Sequence, residues 1–179
     1  GINIILEQRQ EHLNKMLLGT LLIIPVAIFV YIIDRSFVGF TVSDIWVLLA
    51  LLLVGGLCFF AWYLLNRLDL YDYAAQVYVA DLLLGLVLTM VLGRTNPVVV
   101  HVAPFFLTVI VSAAGLLLSR NVALTLSGVG MAWILVFTLF GKTFSYGLFA
   151  LVFALVAAVI ANITAGSLYL MAESSAKSY

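Results

Sequence analysis

Residues 45–65 read IWVLLALLLVGGLCFFAWYLL, twenty-one positions without a charged side chain. A helix of about 20 apolar residues is what crosses a bilayer core of about 30 Å. Trp46 stands at one end and Trp62 with Tyr63 at the other, where amphipathic rings gather at the two membrane–water interfaces. Five further runs of the same character lie at 16–33, 73–92, 98–118, 122–139 and 146–171, separated by short polar links. The runs are continuously apolar rather than alternating, which excludes a β-barrel. Short links make consecutive spans antiparallel neighbours. The expected fold is therefore all-α: a polytopic membrane protein, a bundle of six transmembrane helices in three hairpins.

Composition agrees. The chain has 179 residues, of which 65% are hydrophobic and 9% charged, and its mean hydropathy is +1.25. Soluble domains hold about 45–50% apolar and about 25% charged residues. Three segments follow: a polar, mixed-charge interfacial or helix-leading stretch at 1–15, the six-helix domain at 16–171, and an exit segment at 172–179. Lipid is thus the first partner. Eight basic and eight acidic residues cancel, with no basic patch for nucleic acid. Cys58 is the single cysteine, so neither an internal disulfide nor a cysteine-based metal site is available. His12 and His101 lie far apart, which argues against paired haem ligands. No metal and no cofactor is expected. The first apolar run is too long for a cleavable leader.

With the N-terminus inside, the inner links and ends carry Arg9, Lys15, Arg67, Arg120 and Lys177, and the outer links carry Arg35, Arg94 and Lys142. Five against three favours cytoplasmic termini. The outer turns resemble one another: Asp34-Arg35-Ser36-Phe37, Gly93-Arg94-Thr95-Asn96 and Gly141-Lys142-Thr143-Phe144. Their cations either complement the negative ends of helices or form an outer surface for an anionic ligand or headgroup.

Asp81 is the one acid well inside a span. A carboxylate at that depth must face the bundle interior, a partner or water. Tyr78 and Gly85 share its helix face: the hydroxyl can donate to the carboxylate, and the glycine admits a neighbouring helix. Asp81 is then a ligand contact, a proton site or a structural acid between two helices. His101 precedes Pro104 closely, so residues 98–103 are expected to be loosened. A pocket lined by Asp81, Tyr78, His101 and Trp133 is a candidate binding site. The sixth span carries small residues at a spacing of four: Ala154, Ala158, Asn162 and Gly166 in one stripe, Ala157, Ala161 and Ala165 in the next. Such stripes let backbones approach, either within the bundle or across a homodimer. No glycine or proline stops the helix after Leu170, so the sixth span is expected to run on into the cytoplasm. No P-loop, zinc motif or nucleophile elbow occurs, and catalysis within this chain is not expected.

The stretch from Leu64-Leu65-Asn66-Arg67 through Asn96-Pro97 to Leu118-Ser119-Arg120-Asn121, with the exit helix over 162–177, resembles the six-helix N-terminal sensor or anchor modules of bacterial multi-domain signalling proteins, namely histidine kinases and membrane nucleotide cyclases. The resemblance implies the bacterial cytoplasmic membrane, a homodimer and a cytoplasmic effector domain driven through the last helix. Two other functions fit the same layout: an accessory subunit of a larger respiratory or photosynthetic complex, and a small transporter or its substrate-binding subunit.

Overall fold

A computed structural model describes residues 2–141 and 144–177, with the side chains of 2, 3, 144, 145, 167–170, 172, 173 and 176 left aside. The described residues are helical apart from short links. In chain order the helices are α1 (Ile2–Val38), α2 (Val42–Asn66), α3 (Tyr71–Leu92), α4 (Pro97–Val102), α5 (Phe106–Leu117), α6 (Arg120–Gly141) and α7 (Phe144–Lys177). Six helical stretches are long and apolar enough to cross a membrane, α4 and α5 together making one of them.

The segment 1–15 is not a separate element from residue 2 onward. It forms the opening turns of α1, whose 37 residues extend well past the apolar run that follows Lys15. Residues 98–102, expected to be loosened before Pro104, are α-helical within α4; the irregularity is a 3-10 turn at Ala103–Phe105 between α4 and α5. The proline has no N–H to continue the α-helical ladder, so the chain tightens for one turn and resumes. Asn96 opens α4: its side-chain carbonyl accepts from the Val98 N–H at 3.0 Å, with Pro97 in the first turn. Proline suits that position because its missing donor would have no partner there.

At the centre stands α3. Tyr71, Ala74, Ala75, Tyr78, Val79, Leu83, Leu86 and Met90 are buried, at steps of three and four that make one broad face of a helix. Its most extensive partner is α2, and it also meets α1, α5 and α6. The Tyr71 hydroxyl donates to the Leu117 carbonyl at 2.7 Å, giving a partner to one of the carbonyls that the end of α5 leaves free. By contrast α7 packs first on α5 and then on α6. Large apolar side chains elsewhere face outward, Leu22, Ile23 and Phe29 on α1 and Phe149, Phe153 and Ile163 on α7 among them.

Close approaches run through small residues. Gly130 of α6 lies against Leu107 and Leu83, and Gly115 of α5 lies against Ala161 of α7. A Cβ added at Gly115 would stand 2.5 Å from that of Ala161, whereas one added at Gly56 would meet nothing within 4 Å. Gly115→Ala is expected to push α7 off α5 and lose about 1–3 kcal/mol, the usual cost of overpacking. Gly56→Ala should leave stability unchanged or slightly raised. Denaturation of the two variants in micelles, followed by circular dichroism, checks the difference.

Candidate functional site

Asp81 lies ten positions into α3, about 15 Å along its axis at 1.5 Å per residue. It is 1% exposed. One turn further on, Gly85 faces the Val54 side chain of α2. The two helices are joined by the short link 67–70, so they run antiparallel, and a turn back along α3 matches a turn forward along α2. That register sets Asp81 opposite Cys58, and Tyr78 lies one turn back along its own helix. Neither carboxyl oxygen has a hydrogen-bond partner.

Tyr78 shares the face of Asp81, as the spacing implies, but its hydroxyl is engaged elsewhere. Thr20 Oγ1 of α1 donates to the Met16 carbonyl at 2.9 Å. With that proton committed, the 3.0 Å contact between the two hydroxyls has Tyr78 donating to Thr20. The expected donation from Tyr78 to Asp81 is therefore replaced by a bond between α3 and α1. Cys58 is fully buried, and its thiol lies 3.8 Å from the Leu17 carbonyl. Asp81 thus sits in a three-helix junction of α1, α2 and α3, with a thiol and a hydroxyl nearby and no bond to either.

The other two members of the candidate pocket stand apart from this pair. His101 Nδ1 meets the Pro97 carbonyl at 2.5 Å, and its ring lies edge-on to Tyr146 of α7 with centroids 4.4 Å apart. It ties α4 to the start of α7. Trp133 is half-buried on α6, and its indole N–H is buried without a partner. Neither residue hydrogen-bonds Asp81. An open cleft of about 280 Å³ lies at the other end of the bundle, lined by Glu7, Gln10, Glu11, Asn14, Leu65 and Asn66.

Of the link cations Arg35, Arg94 and Lys142, Arg35 is engaged within the chain. Its Nε stands 3.5 Å from carboxylate oxygens of both Asp34 and Asp44, and its guanidinium lies over the Tyr31 ring. Asp44, 3% exposed, also accepts from the Tyr31 hydroxyl at 2.5 Å and from the Thr41 N–H and hydroxyl at 2.6 and 2.8 Å. This cluster closes the turn between α1 and α2. Sequence reasoning passed over Asp44 as part of a loop. The signal was present in Thr41-Val42-Ser43-Asp44, a Thr and an acid three apart before an apolar run, the mark of a helix N-terminus. Arg94 is exposed in the link after α3, and Lys142 lies outside the described residues. In α7, Ala154 and Ala161 are buried against the chain's own helices, and Ala157 and Ala158 are partly buried against the same core. Asn162 and Ala165 are half-buried and Gly166 is exposed. Among the described residues, no three His, Cys, Asp or Glu side chains gather where a metal could be held.

Two outcomes follow from these bonds. Asp44→Ala should lower the denaturation midpoint clearly more than Asp34→Ala, because only the former removes the acceptor shared by Tyr31, Thr41 and Arg35. Tyr78→Phe should cost about 0.6 kcal/mol, the average for hydrogen bonds between membrane helices; a double-mutant cycle with Thr20→Val checks that the loss belongs to this pair.

No protein-family model, no curated protein and no solved structure matches the chain.

Proposed function

We propose that the chain is a membrane-embedded sensory or anchoring module. Its six spans form three hairpins in a bacterial cytoplasmic membrane with both ends in the cytoplasm, and its last helix carries a change of packing to a cytoplasmic effector. The observation that carries this reading is α7, one helix of 34 residues. At 1.5 Å per residue it is about 51 Å long, against a bilayer core of about 30 Å. Its apolar run ends by Met171, and the helix continues to Lys177 without a break.

The packing suits such an output. Along α7, small residues lie against α5, so the two backbones are close, and α5 in turn meets α3. A shift of α3 against its neighbours would reach α7 through two direct contacts. An even number of spans returns the end of α7 to the side where α1 begins, and the majority of basic links favours that side as cytoplasmic. A coupling of about 1–3 kcal/mol suffices for a two-state switch of this kind.

The test uses the full gene product in its native membrane, with photocrosslinking residues placed singly along α7. At Ser174 and Ser175, beyond the apolar part, the expected product joins α7 to a water-soluble effector domain. At Phe153 and Val156, on the exposed face, lipid adducts are expected. Crosslinks from Phe153 and Val156 to other integral subunits, with no soluble domain captured at Ser174 or Ser175, would overturn the reading in favour of an accessory subunit.

A further inference from the structure

We propose that Asp81 is a proton-binding site at the centre of the bundle, holding a proton while the seam between α2 and α3 is closed and releasing it when that seam admits water. The proposal does not rest on the output role of α7: a subunit of a larger complex would hold the proton equally well.

The geometry leaves few other occupants. The side chain is 1% exposed, and both its oxygens lack a partner. Halfway along an apolar span, it lies near the bilayer midplane, where an ionised carboxylate is most costly. With no hydrogen-bond donor on either oxygen, three things can relieve that cost: a cationic side chain, a bound metal ion or a proton. Among the described residues no cationic side chain bonds to it. The titratable groups near it are the Cys58 thiol of α2 and the Tyr78 hydroxyl of its own helix; α1 offers Thr20, and among the described residues no charged side chain of α1, α5 or α6 acts on it. A hard cation needs about six oxygen ligands. Here the helix carbonyls are taken up in their own ladders, and the core that α1, α2 and α3 share, with Leu17, Cys58 and Val79 in it, is apolar. A proton needs one oxygen.

Asp44 supplies the contrast within the same molecule. It is nearly as buried, yet its oxygens take bonds from Tyr31 and Thr41 and an ion pair from Arg35. Every one of those partners favours the ionised form. The two acids therefore solve burial in opposite ways, one by recruiting donors and the other by carrying its own hydrogen. The nearest polar groups, Tyr78 and Thr20, lie one turn from Asp81 toward the end where Asn66 donates to Asn14 at 3.1 Å, beside the open cleft.

Infrared spectroscopy of the full chain in lipid vesicles tests the proposal. A protonated carboxyl has a C=O stretch well separated from that of a carboxylate. The expected spectrum at neutral pH contains that band, shifted by carbon-13 labelling of aspartate, and the band is lost at alkaline pH. In Asp81→Asn the band is absent; in Asp44→Asn it is retained. Asp81→Asn has nearly the shape of the protonated acid, and circular dichroism checks its fold. Should it fail to fold, Asp81→Glu carries the test by moving the band to the glutamate position, outside the aspartate label. Three results would overturn the proposal: no acid band in the unaltered protein, a band that survives in Asp81→Asn or stays at the aspartate position in Asp81→Glu, or one that persists unchanged to the most alkaline pH at which the helices remain folded. The last would leave a permanently neutral structural acid rather than an exchanging site.

Discussion

Close contact along α3 is the constraint on which the bundle depends. Lipid chains are as apolar as leucine, so association of helices in a membrane rests on shape and on the few polar contacts between them. The stripe from Tyr71 to Met90 supplies the shape, and it is buried by neighbours on several sides. Where backbones must come nearest, one partner is small: Gly85 toward Val54, Gly130 between Leu83 and Leu107, Gly115 toward Ala161. The polar contacts sit at the ends and edges. Tyr71 ties α3 to the end of α5, and Tyr78 ties it to α1. In this arrangement α1 and α7 are peripheral, each with much of its circumference uncovered.

Polar groups in such a medium are informative because each one needs a stated physical reason to be there. The cluster around Asp44 has such a reason: it closes a turn and starts a helix. His101 does as well, joining α4 to the first turn of α7. Asp81 contributes no bond at all and sits in the central helix α3. A purely structural role would be served as well by an apolar side chain of similar volume. That makes its chemistry, rather than its packing, the reason to look at it.

Much of the fold was legible from the residues. Six apolar runs of sufficient length leave helices as the one way to satisfy the backbone without water, and the limits of the second to fifth were placed within a few residues, whereas α1 begins fourteen positions before its run. Pro104 announced the 3-10 turn, and the missing stop after Leu170 announced the length of α7. What did not show was which face of each helix meets which neighbour. The runs are apolar all round, so no amphipathic stripe marks the inside. The partner of Tyr78 is a threonine 58 positions away, a pairing that spacing along one helix cannot reveal. For the same reason Asp81, Tyr78, His101 and Trp133 looked like one group, while the structure gives Tyr78 to Thr20 and His101 to Tyr146 and leaves Asp81 without a bond. Asp44 was hidden differently: it lies just before the apolar run it begins, and a composition boundary drew attention away from a capping pattern.

The buried cysteine has a consequence of its own. The chain owns one sulfur nucleophile, fully enclosed at the junction of α1, α2 and α3 with its thiol turned toward Leu17. To a water-borne alkylating reagent the folded molecule is silent. Any opening of that junction would uncover Cys58 and Asp81 together, since they face each other across the same seam. The rate at which Cys58 is alkylated therefore serves as a built-in clock for the breathing of this half of the bundle, with no label to introduce and no residue to change.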